Sequence, residues 1–538
     1  MTRIQCDRTD AVVVGGGIAG ITTALELLDQ GLRVILLDGR DEDGFGGQAR
    51  EAFGGMLLVG TPEQKHRRIP DTPELALADW QRAAAYDHDE RWAPRWAEAY
   101  VNRCRSDVYD WLRAQGLRFF PMVHWVERGN DGDGNSVPRY HIAWGCGRGL
   151  IDTLKARLLS HPRRDRLTLR FGHRVEDLVL DQSAVTGVTG RNAQGNFIVE
   201  ADHTVIAGGG INGSREKVRA HWDPDYGPVP DNLLFGASPD ADGHLHDRVA
   251  AAGGRVVKLN QMWNYAAGIA HPQPRFADHG LSLIPARSAL WLDAEGKRIG
   301  PRPLVTGFDT HDLCQRVGHL PGQYGWLLMN RRIALRELAV SGSDENPHFR
   351  DHRLLPLAWE ALAGNRRLYR MLLANPDVAT GTSFSELAQS MNAITGEDRV
   401  NSWLMEEDVR AYDEGIRRGG RFLNDEQVQR IRQLRLWPGD RIRTCNLQPI
   451  NDRWAGPLLA IRTRLISRKS MGGMLTDLHS RVLDQHDMPI PGLYAAGEAA
   501  GFGGGGIAGK RSLEGTFLSC AMFNARIAAR AIAGQANP

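Results

Sequence analysis

Three glycines, Gly15, Gly17 and Gly20, stand at G-x-G-x-x-G spacing inside Asp10-AVVVGGGIAGITTALELLDQGLRVILL-Asp38. Without a Cβ, such a turn lets backbone N–H groups approach a pyrophosphate, and Asp38, eighteen residues beyond Gly20, can accept hydrogen bonds from both hydroxyls of a ribose. Elsewhere stand groups suited to a redox step beside a carbonyl, which needs a base for the acidic α-proton and a donor for the enolising oxygen. The candidates are Tyr265 in Met262-Trp-Asn-Tyr, Arg511 next to Lys510, His141 in Pro138-Arg-Tyr-His, and Tyr324 in Gly322-Gln-Tyr-Gly-Trp.

Local elements must place these groups. Val12 to Val14 form an apolar run suited to a buried parallel strand, and Ile18, Ile21, Ala24, Leu25 and Leu28 recur at helical spacing until Gly31. Val34 to Leu37 make a second buried strand. The helix N-terminus then offers unpaired N–H groups to phosphates. An ordinary glycine turn would not need two flanking strands and an acidic terminus.

The fingerprint leaves NAD and FAD both open, and three later features favour FAD. Gly46-Gly47-Gln48 and Gly54-Gly55 can lie against a pyrophosphate and a ring edge. Leu167 to Glu200 alternates through short strands before Thr204-Val-Ile-Ala-Gly-Gly-Gly210 returns as a buried strand ending in glycines. Pro491-Gly-Leu-Tyr-Ala-Ala-Gly-Glu498 is a further strand, whose carboxylate can hold a ribitol hydroxyl.

On these residues the chain resembles the two-dinucleotide-binding-motif flavoproteins, within them the fumarate reductase and 3-ketosteroid dehydrogenase superfamily, and most nearly the ketosteroid-dehydrogenase-like FAD-binding dehydrogenases. The resemblance is strongest at Gly15 to Arg40, Gly46 to Gly55, Thr204 to Gly210 and Ser470 to Ala528. It implies an α/β fold: a Rossmann-like FAD domain in two parts, residues 1–258 and 468–538, with an inserted α+β substrate-binding cap, 259–467. The expected cofactor contacts are Gly15, Gly17, Ile18, Ala19 and Gly20; Asp38, Gly39 and Arg40; Gly46, Gly47, Gln48, Gly54 and Gly55; Val175, Gly208 and Gly209; Gly497 and Glu498; and Ser512, Leu513 and Thr516. Some relatives attach flavin through a histidine shortly after the second strand. None occurs here between Asp38 and Gly60, so the resemblance implies non-covalent FAD.

Met471-Gly-Gly-Met leads to the glycine run Gly501 to Gly506, and a helix is expected from about Leu513 to Ala533, with Ser512 as its cap. Its N-terminus, aimed at a flavin's pyrimidine edge, would stabilise the charge gained on reduction; the bland alternative is a flexible lid. Fumarate reductases carry a histidine just before Met-Gly-Gly, where Ser470 stands, and an arginine before the last helix, where Arg511 falls. Ketosteroid dehydrogenases carry a tyrosine in that loop, and none follows Tyr494. His141 and Trp144 either line a pocket or fill the core. Tyr265 is either a donor or base for a ketone or a hinge-packing aromatic. Trp263, Trp291 and Trp326, with the tyrosines, suit a ring-bearing substrate or an ordinary core.

Composition narrows the partners. Over 538 residues, 42% apolar and 24% charged are globular values, and a net charge of +2 supplies no overall pull towards nucleic acid or anionic lipid. The six cysteines lack a CxxC pair, which argues against disulfide frameworks, zinc ribbons and iron–sulfur clusters and fits a reducing cytoplasm. The apolar run Ala11 to Leu28 carries Glu26 and acidic flanks, so neither a signal peptide nor an integral membrane segment is expected. Asp131-Gly-Asp-Gly-Asn135 lacks the glycine and glutamate of a calcium loop and reads as a surface turn. His311, Cys314 and His319 lack a fourth ligand, so no metal is expected. Arg410 to Arg443, mixed with acids, reads as a solvated helical face. Together these residues and the resemblance imply an FAD-dependent dehydrogenase or reductase for a CH–CH bond beside the carbonyl of a ring-bearing, ketosteroid-like or secondary-metabolite small molecule, with a separate electron acceptor. The alternatives are a fumarate-reductase-like ene reductase for an unsaturated acid and a non-catalytic flavin-binding or electron-relay protein.

Overall fold

In the computed structural model, which describes residues 5–418 and 424–534, Val12, Val13 and Val14 lie on the buried middle strand of an α/β unit. That strand, Gln5–Val14, pairs in parallel with Val34–Leu37 on one side and Gly195–Ile206 on the other, Val12 beside Ile35 and Thr204. Leu167–Arg170 and Pro489–Ala495 extend the parallel sheet at its two ends. A strand covered on both faces reads as an unbroken apolar run, as this one does. An antiparallel pair, Arg174–Asp181 and Ala184–Asn192, joins through the Gly195–Ile206 strand.

The chain divides into two compact units. The first takes the chain up to Trp222, Ala237–Trp263, and everything from Lys469; the second takes Asp223–Gly236 and Asn264–Arg468. Within the first, the helix Ile18–Asp29 ends with Gln30 as its cap and Gly31 just beyond at φ +81°. The last helix, Thr516–Ile532, packs along it. Glu26 is buried in that contact and pairs with Arg526, which also donates to the Asp107 carbonyl. A buried charge is tolerated only when so partnered, so this pair ties the two ends of the chain together.

The last helix begins later than expected. Gly515 at φ +100° is its N-terminal cap residue, and a left-handed residue interrupts helical hydrogen bonding. The Ser512 hydroxyl does not cap it but pairs with Thr516 Oγ1 at 2.9 Å.

The second unit is α+β. The strand Leu458–Ser470 pairs antiparallel with Tyr324–Asn330 and with Val378–Gly381, and helices surround the sheet. The arginine-rich stretch expected to be solvated is partly core. Its helices are Ser402–Arg417 and Glu426–Leu436, with 419–423 outside the described residues. Arg430 is buried, pairs with Glu426 at 2.6 Å and lies over the Phe308 ring, while buried Asp413 accepts from the backbone N–H groups of Ile450 and Asn451. Among the described residues, no helix is long and apolar enough to cross a membrane.

Candidate functional site

The first strand hands over to the first helix through three glycines with different tasks. A Cβ on Gly20 would lie 1.9 Å from the Gly15 carbonyl oxygen, and one on Gly15 would lie 2.4 Å from that of Ala207. Both close backbone approaches require hydrogen. A Cβ on Gly17 would meet nothing within 4 Å. Gly17 caps the helix without a side-chain hydrogen bond, and the first turn carries no acidic residue. Its N–H groups and the positive end of the helix dipole are therefore available to an anion.

Asp38 closes this cradle at the tip of the second strand. Its Oδ2 accepts from Gly16 N at 3.0 Å and its Oδ1 from Arg40 N at 2.9 Å. Burial pushes its carboxyl above the usual range, against those two bonds. Each oxygen keeps a further lone pair for a ribose hydroxyl. Gly46 N donates to Gly16 O at 2.9 Å, and a Cβ on Gly47 would lie 2.9 Å from the Gly17 Cα. Behind Asp38 and Arg40 runs a second stretch of backbone: Gly172 N donates to Arg40 O and His173 N to Asp38 O, with Gly39 against Arg174. Val175 follows in that stretch with its side chain in the core.

The distant glycine segments converge on the same unit. A Cβ on Gly497 would lie 2.8 Å from the Ala19 Cβ, and Gly497 N donates to Asn524 Oδ1 at 3.0 Å. Glu498 Oε1 accepts from Ser470 N at 2.8 Å. The Ser470 hydroxyl accepts from Ile211 N at 2.8 Å and donates to Asn212 Oδ1 at 2.6 Å, beyond the Gly208–Gly209 turn. Gly54 packs on the Cys146 backbone and Gly55 on the Tyr140 ring. Gln48 Oε1 accepts from Ser238 N, and Ser512, Leu513 and Thr516 are buried ahead of and at the start of the last helix. A bare helix N-terminus, open space at Gly17 and a carboxylate at the strand tip fit a dinucleotide.

The four catalytic candidates separate. His141 is fully buried; Nε2 bonds to Thr61 Oγ1 at 2.7 Å and Nδ1 to the Arg139 carbonyl at 2.8 Å. Burial pushes its pKa down to about 4, and with both nitrogens engaged it is a structural histidine. Trp144 stacks on Phe120. Arg511 pairs with Asp133, and its side chain remains about a third exposed, at 37%. The Asp131–Asn135 segment is therefore more than a surface turn: Asp133 holds Arg511, and buried Asn135 accepts from Arg139 and donates to Val126 O.

In the second unit, Tyr265 is half-buried on the strand Met262–Ala270. Its neighbour Asn264 is buried with both amide atoms lacking a hydrogen-bond partner. No sequence spacing marked it. Tyr324 opens its strand, and burial raises its phenol, which suits a hydrogen-bond donor and not a base. Trp263, Trp291 and Trp326 are core side chains, so they give no account of substrate shape. His311 packs against Tyr226, Cys314 bonds to Asn264 O and His319 to Gln315 O, three separate structural tasks.

The FAD binding domain family matches residues 10–518. A KsdD-like steroid dehydrogenase of Mycobacterium tuberculosis is 40% identical over 97% of this chain and 95% of its own. The fumarate reductase (cytochrome) of Shewanella frigidimarina is 25% identical over 97% of this chain and 76% of its own. Among solved structures, the 3-ketosteroid Δ1-dehydrogenase from Sterolibacterium denitrificans, in complex with 1,4-androstadiene-3,17-dione, aligns with a TM-score of 0.71 at 16% identity, covering 98% of this chain and all (100%) of that one. That likeness shows a shared fold.

Proposed function

This chain belongs to the FAD-binding domain family and is an FAD-dependent oxidoreductase, and from that premise we propose that it dehydrogenates a CH–CH bond beside the carbonyl of a 3-ketosteroid or a ketone of similar ring skeleton. The observation that carries this is 40% identity to a KsdD-like steroid dehydrogenase along nearly the full length of both chains. FAD, when bound, supplies the two-electron acceptor for the β-hydride.

The chain's own groups do the rest. The Gly15–Gly20 turn and the bare helix N-terminus hold the pyrophosphate, and Asp38 orients the ribose. The second unit serves as the substrate-binding cap. Within it, Tyr265 donates a hydrogen bond to the ketone oxygen and so stabilises the negative charge that builds there. Tyr324 is a further donor. Arg511, permanently charged, anchors or stabilises developing negative charge and is held in place by Asp133. With no histidine between Asp38 and Gly60, the flavin is dissociable. The six free cysteines suit a reducing, cytoplasmic setting, and turnover would need a separate electron acceptor.

Reduction of an unsaturated acid is the second reading, supported by the Shewanella relative. Against it, the Ser470 hydroxyl is already committed to Ile211 N and Asn212 Oδ1, which leaves it poorly placed to bind a substrate carboxylate. Anaerobic mixing with a panel of ligands separates the readings. Bleaching of the oxidised flavin by saturated 3-ketosteroids supports dehydrogenation. Reoxidation of the reduced protein by an enoic acid alone supports the second reading, and silence towards all of them supports a binding role.

A further inference from the structure

The second unit carries a helix that is inside out. Leu354–Ala363, LLPLAWEALA, buries none of its residues. Leu354 is 65% exposed, Leu355 85%, Trp359 63% and Leu362 77%. Positions 355, 359 and 362, with Ala358, follow one another at three- and four-residue intervals and so form a single stripe. The helix's only acidic residue, Glu360, is half-buried with a carboxylate oxygen 3.6 Å from His348 Nε2. A surface helix ordinarily turns its apolar stripe to the core and its charges to water; this one does the reverse.

Exposed arginines lie close to the stripe in sequence. Exposed Arg353 stands at the helix's N-terminal cap. Exposed Arg366 and Arg370 lie one turn apart on the following helix, Arg366–Leu373, and neither has a carboxylate partner among the described residues. Exposed Leu373 continues that row. From Arg350 to Arg370 the chain has five arginines against Asp351 and Glu360, although the net charge of the whole is only +2.

We propose that this face seats the protein on the surface of an anionic lipid bilayer. Leucines and a tryptophan would enter the boundary between headgroups and acyl chains, while the flanking guanidiniums reach lipid phosphates with their stems along the apolar surface. At ten residues, about 15 Å long, the helix is too short to span a hydrocarbon core, so it lies in the plane of the membrane. The positive charge decides the partner: a second copy of this chain would bring the same unpaired arginines against one another, whereas phosphate headgroups neutralise them. The inference depends on neither the substrate nor the direction of the redox step.

The test is co-sedimentation of the holoenzyme with vesicles of phosphatidylcholine alone and of phosphatidylcholine with phosphatidylglycerol. Three arginines near an anionic surface are expected to raise the partition coefficient on the order of 100-fold at low salt, with most of the gain lost when salt shortens the screening length. Leu355→Asp with Leu362→Asp should abolish binding to both vesicles. Arg366→Glu with Arg370→Glu should remove only the preference for phosphatidylglycerol. Both variants should keep their flavin content. Failure of the holoenzyme to sediment with either vesicle overturns the proposal. So does a dimer that the double aspartate variant dissociates, which would assign the face to a second copy. Should the aspartate variant lose its flavin, the arginine variant carries the test, and an unchanged preference for phosphatidylglycerol there would also overturn it.

Discussion

Gly17 and Gly20 belong to one turn, yet replacing them should fail in different ways. In Gly20→Ala the new methyl lies 1.9 Å from the backbone oxygen of Gly15. Backbone against backbone cannot rotate away, and overpacking of this kind costs roughly 1–3 kcal/mol or more. In Gly17→Val the side chain enters open space, on a backbone at φ −77° that any residue adopts. The flavin-free fold should therefore change by no more than about 1 kcal/mol, the scale of an N-cap change. What the valine obstructs is the pyrophosphate. Losing two charge-assisted hydrogen bonds at about 1.5–3 kcal/mol each weakens FAD binding by roughly 10²- to 10⁴-fold. Thermal unfolding of the flavin-free proteins, with and without added FAD, reads both effects. Wild type and Gly17→Val should unfold at similar temperatures alone, only the wild type should shift with FAD, and Gly20→Ala should unfold early. A Gly17→Val protein with wild-type Kd for FAD, or one as unstable as Gly20→Ala, refutes the division of roles.

Breaking the buried Arg526–Glu26 pair by Arg526→Ala should destabilise the first unit by up to about 3–5 kcal/mol, the cost of removing one partner of a buried ion pair, with Arg530 at 3.4 Å as the partner left to Glu26; denaturant titration measures it, and an unchanged midpoint would count against the burial. His141 and His246 are both pushed down to about 4 by burial, so they favour folding fully above the unfolded value near 6.5. That stability, about 3 kcal/mol for each, drains away as pH falls from 6.5 towards 4. A pH series of unfolding midpoints should show the decline, and His141→Gln should reduce it by about half, with His246 still contributing. Tyr265→Phe should lower kcat by about 10²-fold, the scale of general acid–base contributions, with the bound flavin's spectrum unchanged; equal kcat in the two proteins would remove Tyr265 from the chemistry. Acid precipitation should release all of the flavin into the supernatant, whereas flavin retained in the pellet would show a covalent link.

The first strand–turn–helix–strand unit was legible because it is written locally. Strand, glycine turn, helix and second strand follow within Asp10 to Asp38, and the periods and glycines that specify them are neighbours in sequence. The errors came where a partner lies far away or a single backbone angle decides. Ser512 has the chemistry of a helix cap, but Gly515 at φ +100° starts the helix three residues later and the hydroxyl turns to Thr516. His141 looked equally suited to a pocket and a core until Thr61, eighty residues earlier, supplied the bond that satisfies it. Asp133 and Arg511 are 378 residues apart, and no spacing rule joins them. The tryptophans, which suited a ring-bearing substrate or an ordinary core alike, sit in the core, whereas an apolar run at Leu354–Ala363, which composition alone would place in a core, faces water.

On this mechanism the flavoprotein takes hydride from the carbon β to a ketone. Stopped-flow mixing of the oxidised holoenzyme, without oxygen, with a 3-ketosteroid bearing protium or deuterium at that carbon tests it in one turnover. The flavin absorbance should bleach as one equivalent of enone forms, several-fold more slowly with deuterium. A flavin that keeps its oxidised spectrum with every saturated ketone, yet bleaches when a reduced nicotinamide is added, would contradict it.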